Sequence, residues 1–179
     1  MLQDIRTYLL FGSQYCGIEH ASQNGAIHLY ATLLKKKKKE VDVDRSIEAN
    51  TIAELANHLP KNTGAFLVVN DENVITKRIE SEHREPLKLV QTAFPNLNLN
   101  DFIYETLHQK TVHFVSICRR TYIEQLIKDY KKNKISILNV SLGNLMISNV
   151  TDFIASTEIY TSNAKVSADA QTLTEIEDV

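Results

Sequence analysis

The sequence predicts a mixed α/β domain, on three observations. Stretches with period-two alternation read as strands, two apolar stripes at helical spacing open on capping boxes, and the two kinds interleave along the chain rather than segregating. With 179 residues, 43% of them hydrophobic, the chain is long enough to bury an ordinary core.

The first elements follow from alternation and turn chemistry. Leu2 to Leu10 places Leu2, Ile5 and Leu9 on one side of a short helix. Tyr15 to Glu19 reads as a short strand, and Asn24-Gly25 after it supplies the positive φ values of a tight hairpin turn. Ile27, Leu29, Ala31 and Leu33 then alternate with His28, Tyr30 and Thr32, as in a strand with one buried face. Beyond Lys35 to Lys39, Val41 and Val43 alternate with Asp42 and Asp44, so the lysine run sits around a second hairpin bend. Three antiparallel strands result.

Helices and buried strands come next. Thr51-Ile52-Ala53-Glu54 is a capping box, and Ile52, Leu55, Ala56 and Leu59 form one stripe that Pro60 ends. Ala65 to Val69 is apolar on both faces and belongs in the middle of a sheet; a polar turn at Asn70 to Asn73 leads to a less buried strand over Val74 to Ile79. Pro86 to His108 reads as two short helices broken at Phe94-Pro95-Asn96, because proline removes a donor and restricts the residue before it. Val112 to Cys118 is a buried strand. Thr121 to Glu124 repeats the capping box, and Tyr122, Ile123, Leu126, Ile127 and Tyr130 share one face of the helix it opens. Strands are expected over Ile135 to Val140 and, after Gly143, over Leu145 to Val150. Thr161 to Val179, rich in Ser, Thr, Ala and acidic residues, reads as a loose tail or a truncation point.

Composition narrows the chemistry. Twenty basic against 22 acidic residues give a net charge of −2, without the basic excess of a nucleic-acid binder. Cys16 and Cys118, each in an apolar stretch, fit a reducing compartment and buried thiols. Tyr8 to Phe11 is too short for a signal-peptide core, and no run approaches the roughly 18 apolar residues of a membrane span. The expected location is cytoplasmic.

Possible catalytic and binding groups are few. His20, His28, His58, His83, His108 and His113 lack metal-ligand spacing, so no metal is expected. Cys118 precedes Arg119 and Arg120 at a strand-to-helix junction, which would lower a thiol's pKa. A cysteine phosphatase loop would, however, need arginine where Glu124 stands, and the residues favour a structural cysteine. Glu80 and Glu82 near His83 read as an ordinary charged loop, and five glycines leave little material for a phosphate loop. Lys35 to Lys39 favours a solvated, edge-protecting run over an anionic-lipid site, because Glu40, Asp42 and Asp44 blunt its field. No catalytic residue or cofactor is assigned.

The order of elements, three antiparallel strands, a helix, a strand, an inserted strand-helix-strand unit, a helix and a strand, resembles the first half of the actin-like, ribonuclease-H-like fold. The variant it is similar to is that of pilus assembly protein M and type II secretion protein L. Cys16-Gly17-Ile18-Glu19-His20-Ala21-Ser22 looks like that family's first phosphate loop, normally Gly-Ile-Asp followed by an apolar residue, Gly and Ser. Phe114 through Tyr122-Ile123-Glu124-Gln125-Leu126 to Ser136-Ile137-Leu138-Asn139-Val140 is similar to the strand, helix and strand that close the half-fold.

The resemblance implies an actin-like half domain over 1–150, with an inserted subdomain at about 74–118, and a C-terminal strand or loose tail over 151–179. Its weak cofactor-binding candidates are Gly17, Glu19 and Ser22. Glu19 replaces the family's aspartate and His20-Ala21 its apolar-Gly pair, so the loop is altered where phosphate would be held. The function implied is a non-enzymatic cytoplasmic scaffold or adaptor, peripheral to the inner membrane, that docks a motor or platform protein, with homodimerisation open. The alternative is half of an actin-like nucleotide-binding ATPase whose remaining motifs lie outside this chain. A third reading is a membrane-surface module acting through Lys35 to Lys39.

Overall fold

Cross-strand pairing of alternating apolar residues starts the fold. The computed structural model describes residues 14–23, 25–37, 40–109, 111–154, 156–169 and 172–178. The helix expected over Leu2 to Leu10, and Lys38 and Lys39, lie outside the described residues. The described chain divides into two compact units, one formed by 1–68 and 125–140, the other by 69–124 and 141–179.

In the first unit, β1 (Gln14–Gln23) and β2 (Ala26–Lys37) pair antiparallel, with Cys16 opposite Leu33, Ile18 opposite Ala31 and His20 opposite Leu29. All six side chains are buried, so one face of the hairpin is core. Gly25 takes φ 77° between the strands, the conformation expected of that turn. β3 (Glu40–Ala49) follows, with Lys37 opposite Glu40. A register shift between Leu33 and Leu34 changes which β3 residues share the core face. Most of β3 is exposed, including Val41 at 53% and Val43 at 64%, which suits its place at the sheet's edge.

Helix α1 (Ile52–His58) has the predicted cap. Glu54 N–H donates to Thr51 Oγ1 at 3.1 Å, while the Glu54 carboxylate accepts from Asn50 N–H at 2.9 Å, one residue further back than the usual box. Leu55 is buried from its stripe. β4 (Thr63–Asn70) lies inside the five-stranded sheet, whose order is β3-β2-β1-β4-β8 with β8 over Ile135–Leu142. Its two-faced apolar pattern predicted an interior position, and Ala65, Leu67 and Val69 are buried, although Phe66 is 42% exposed. Helix α2 (Pro86–Ala93) begins on proline at its first turn, as proline prefers. Helix α3 (Arg120–Lys132) starts one residue before Thr121, so that residue lies within the first turn rather than capping it. Near its end Tyr130 is buried and its hydroxyl meets His20 Nδ1 at 3.1 Å.

The second unit is organised around β7 (Val112–Arg119), the central strand of a sheet ordered β5-β7-β6. β5 spans Ile75–Glu80 and β6 spans Phe102–Gln109. On one face of β7, Val115 and Ile117 pack with Leu89, Val90 and Ala93 of α2. On the other, Phe114 packs with Leu145, Val166 and Leu173. The last two come from a second sheet, ordered β11-β10-β9 and made of β9 (Glu158–Tyr160), β10 (Ala164–Asp169) and β11 (Thr172–Asp178).

Three expectations differ. Thr161 to Val179, read as a loose tail or a truncation point, carries the paired strands β10 and β11, because Val166 and Leu173 are buried against Phe114. The second helix expected before His108 is instead β6, which pairs with β7 from Phe102 opposite Arg119 to Gln109 opposite Val112. Only a short 3-10 turn at Leu99–Asp101 follows the break at Pro95. The strand expected over Leu145 to Val150 is a 3-10 stretch, Gly143–Asn149. Gly143 at φ 62° bends the chain there, and the Ser148 hydroxyl donates back to Leu145 carbonyl at 2.7 Å. Among the described residues no helix is long and apolar enough to cross a membrane.

Phe114 joins β7 to the C-terminal sheet and is 1% exposed. Phe114→Ala is expected to lower unfolding stability by about 3–5 kcal/mol, read as a drop in the urea midpoint. Val43→Thr, on the exposed edge, should stay within about 0.5 kcal/mol of the parent in the same titration.

Candidate functional site

The residues singled out by the phosphate-loop likeness lie in regular strand. Gly17, Glu19 and Ser22 all belong to β1 and sit opposite Thr32, Tyr30 and Ile27 of β2. Because side chains alternate, Gly17 and Glu19 share one face and Ser22 the other. The structure therefore does not bring the three together. Their backbone groups belong to the β1–β2 ladder, whereas a phosphate cradle needs successive N–H groups converging on one point. Of the lysine run, Lys35, Lys36 and Lys37 belong to β2, and Lys35 lies 3.6 Å from Asp44.

Of the six histidines, one pair meets: His108 and His113 face each other across β6 and β7 with ring centroids 5.4 Å apart. His113 is fully buried, with Nε2 2.9 Å from Ser81 carbonyl. Burial, then His113, then Arg84 hold the His108 imidazole below its usual pKa. Among the described residues no three His, Cys, Asp or Glu side chains gather as metal ligands.

Polar side chains converge elsewhere, in the second unit where β4 ends. A cavity of about 210 Å³ is lined there by Asn70, Asp71, Thr76, Gly143, Asn144 and Asn163, with Val74, Ile75 and Ile176 supplying the apolar wall. Asn70 closes β4, Gly143 follows β8, and Asn163 lies in the turn between β9 and β10. Asn70 Nδ2 donates to Asn144 Oδ1 and to Ser162 Oγ, each at 3.2 Å. Asn144 Nδ2 donates to Asn163 Oδ1 at 3.1 Å. The turn is held by the Thr161 hydroxyl, which accepts from Ala164 N–H at 3.0 Å. Gly143 sits in the left-handed region, and a Cβ there would come within 3.2 Å of Thr76 Oγ1, so two constraints select glycine.

Asp71 is the charged member. It is 6% exposed and accepts from Tyr122 hydroxyl on α3 and from Asn73 N–H at 2.9 Å. Burial and the adjacent carboxylate push the Tyr122 phenol well above its ordinary pKa, so it stays a donor across the physiological range. Cys118 feels the same surroundings: burial first and then Asp71 push its thiol up to about 12. Its neighbouring cations face other groups. Arg119 stacks over the Phe102 ring at 5.2 Å, and Arg120 donates to the carbonyls of Asn100 and Phe102, each at 3.0 Å. Cys118 is thus buried, and the two cations beside it in sequence are engaged elsewhere. In the first unit, burial raises Cys16 to about 11.

In the sequence Asn70 to Asn73 reads as a plain polar turn, and the cavity it borders is unmarked. One signal was present: polar residues directly after an apolar interior strand mark a strand's carboxyl end, where open α/β sheets place ligands. Nothing local links Asn70 to Asn144 and Asn163.

These elements build the mixed α/β architecture expected from their order. No protein-family profile matches the chain, and no curated protein matches it. Among solved structures it is similar to the cytoplasmic domain of EpsL, an inner membrane component of the type II secretion system of Vibrio cholerae. The TM-score is 0.60 at 11% identity, covering 93% of this chain and 71% of that one. It is also similar to a chain of the PilM–PilN type IV pilus biogenesis complex, at TM-score 0.59 and 11% identity, covering 91% of this chain and 60% of that one. A Bacteroides thetaiotaomicron protein with an actin-like ATPase fold and unknown function gives TM-score 0.49 at 9% identity, covering 95% and 72%. At these identities the likeness is one of fold.

Both thiols should be inert to a disulfide reagent in the native protein at pH 8 and react fully in urea. Ionisation is favoured in the unfolded chain, whose thiols titrate near 9.0, over the folded one at about 11 and 12. The stability they contribute is complete below pH 9 and is lost as pH rises towards 11 to 12. The urea midpoint should fall between pH 8.5 and 10.5, and replacing both cysteines by alanine should flatten that decline.

Proposed function

We infer that the chain is a docking domain, without catalytic activity of its own, for an inner-membrane secretion or pilus assembly, binding a motor or platform protein at the cytoplasmic face. The observation that carries this reading is the fold shared over 93% of the chain with the cytoplasmic domain of EpsL. Two further features agree with it. Gly17, Glu19 and Ser22 lie in a paired strand and not in a phosphate cradle. β3, at the end of the five-stranded sheet, presents Val41 and Val43 in an exposed strand that no further described strand covers. Such an edge accepts an added strand through main-chain hydrogen bonds, with side-chain contacts supplying selectivity.

Calorimetry with ATP and magnesium separates this reading from that of half an ATPase. No resolvable heat is expected, and micromolar, magnesium-dependent binding would overturn it. Cross-linking in the source cells, analysed by mass spectrometry, should join Lys35 or Lys36 beside the β3 edge to a motor or platform protein. Val41→Lys with Val43→Lys should abolish that cross-link while leaving the urea midpoint within about 0.5 kcal/mol of the parent. If the cross-link survives both substitutions, the edge is not the contact.

A further inference from the structure

The cavity of the second unit has a chemical bias that docking through β3 does not use. Asp71 carries a buried carboxylate whose partners, the Tyr122 hydroxyl and the Asn73 N–H, are both neutral. A buried carboxylate gains most from a cation, because the interior offers it little solvation. The amide donors nearby are largely engaged. Asn70 Nδ2 gives both its hydrogens, to Asn144 and Ser162, and Asn144 Nδ2 gives one to Asn163. Thr76 and Ser116 hydroxyls share one bond at 2.7 Å.

The wall is therefore richest in oxygen lone pairs: further ones on the Asp71 carboxylate and on Asn144 Oδ1, while Asn163 Oδ1 already accepts from Asn144 and Thr161. An anion such as phosphate would lie against a like charge and meet few donors. A group that brings both positive charge and N–H donors is matched on each count. The volume of about 210 Å³ is several times a water's ~30 Å³ share of liquid, enough for a guanidinium head with part of its stem. Ile75, 51% exposed, lies in the wall where the cavity meets the surface.

We propose that this cavity binds a guanidinium or alkylammonium group, with Asp71 as its counter-ion. The group can come from a basic side chain of a protein or from a free amine. The assignment stands on the cavity alone and survives failure of the docking reading.

The test titrates the full chain with acetyl-arginine-amide and with butylammonium, following side-chain amide resonances of Asn70, Asn144 and Asn163 by NMR. Acetyl-citrulline-amide, isosteric and neutral, is the control. Saturable shifts with either cation, and binding of the citrulline analogue at least tenfold weaker, support the proposal. Asp71→Asn should abolish the difference between the charged and neutral analogues. Because that variant removes a buried hydrogen-bonded group, Ile75→Lys serves beside it: a lysine at the mouth competes for the cavity and should weaken added cations at least tenfold in a folded protein. A short arginine peptide that binds more than tenfold tighter than butylammonium identifies the protein source, and equal affinity identifies the free amine. Equal binding of the citrulline analogue, or the same shifts from inorganic phosphate or magnesium chloride without any from the organic cations, would overturn the assignment.

Discussion

A strand buried on both faces requires an apolar layer for each, and in the second unit β7 imposes that requirement. Val115 and Ile117 take the helix α2, while Phe114 takes the C-terminal sheet through Val166 and Leu173. The pleat divides these residues between opposite sides, so neither layer substitutes for the other. Ordering this much chain costs conformational entropy that only burial on this scale offsets. His113, fully buried in the same strand, sets Nε2 against Ser81 carbonyl, which satisfies one of its two ring nitrogens.

The cavity depends on that frame. Thr76 of β5 and Ser116 of β7 stand opposite each other in register and share a hydrogen bond, which sets one side of the polar wall. Gly143 approaches Thr76 closely enough that a side chain would be crowded, and its left-handed backbone aims Asn144 at Asn70. The C-terminal turn completes the wall with Asn163. Four separate stretches of chain thus meet around one buried carboxylate. Each supplies groups that would be costly to bury without the others, so the network forms as a unit.

Much of the fold was legible along the chain, because its signals are local. Alternation at Leu29, Ala31 and Leu33, the cap at Thr51 and the positive φ at Gly25 are each decided by neighbours within a few residues. β6 reads as helix in the sequence because Pro95 and the polar run after it punctuate like a helix break, whereas pairing with β7, a distant contact, makes Phe102–Gln109 a strand. The 3-10 stretch after Gly143 has a strand-like composition, but Leu145 reaches its core only through that tighter turn.

Of the site, the sequence by itself determined what is absent locally: no metal-ligand spacing, no glycine-rich phosphate loop, and cysteines set in apolar stretches. Both thiols are buried, and the interior disfavours a thiolate whatever stands beside it in sequence. Only the tertiary structure decided where the polar groups meet. Asn70, Asp71, Asn144 and Asn163 are unremarkable in their own segments and become a site because the ends of β4 and β8 and the β9–β10 turn close on one space. Hydrogen bonds act over about 3 Å, a range no one-dimensional spacing can report across some ninety residues.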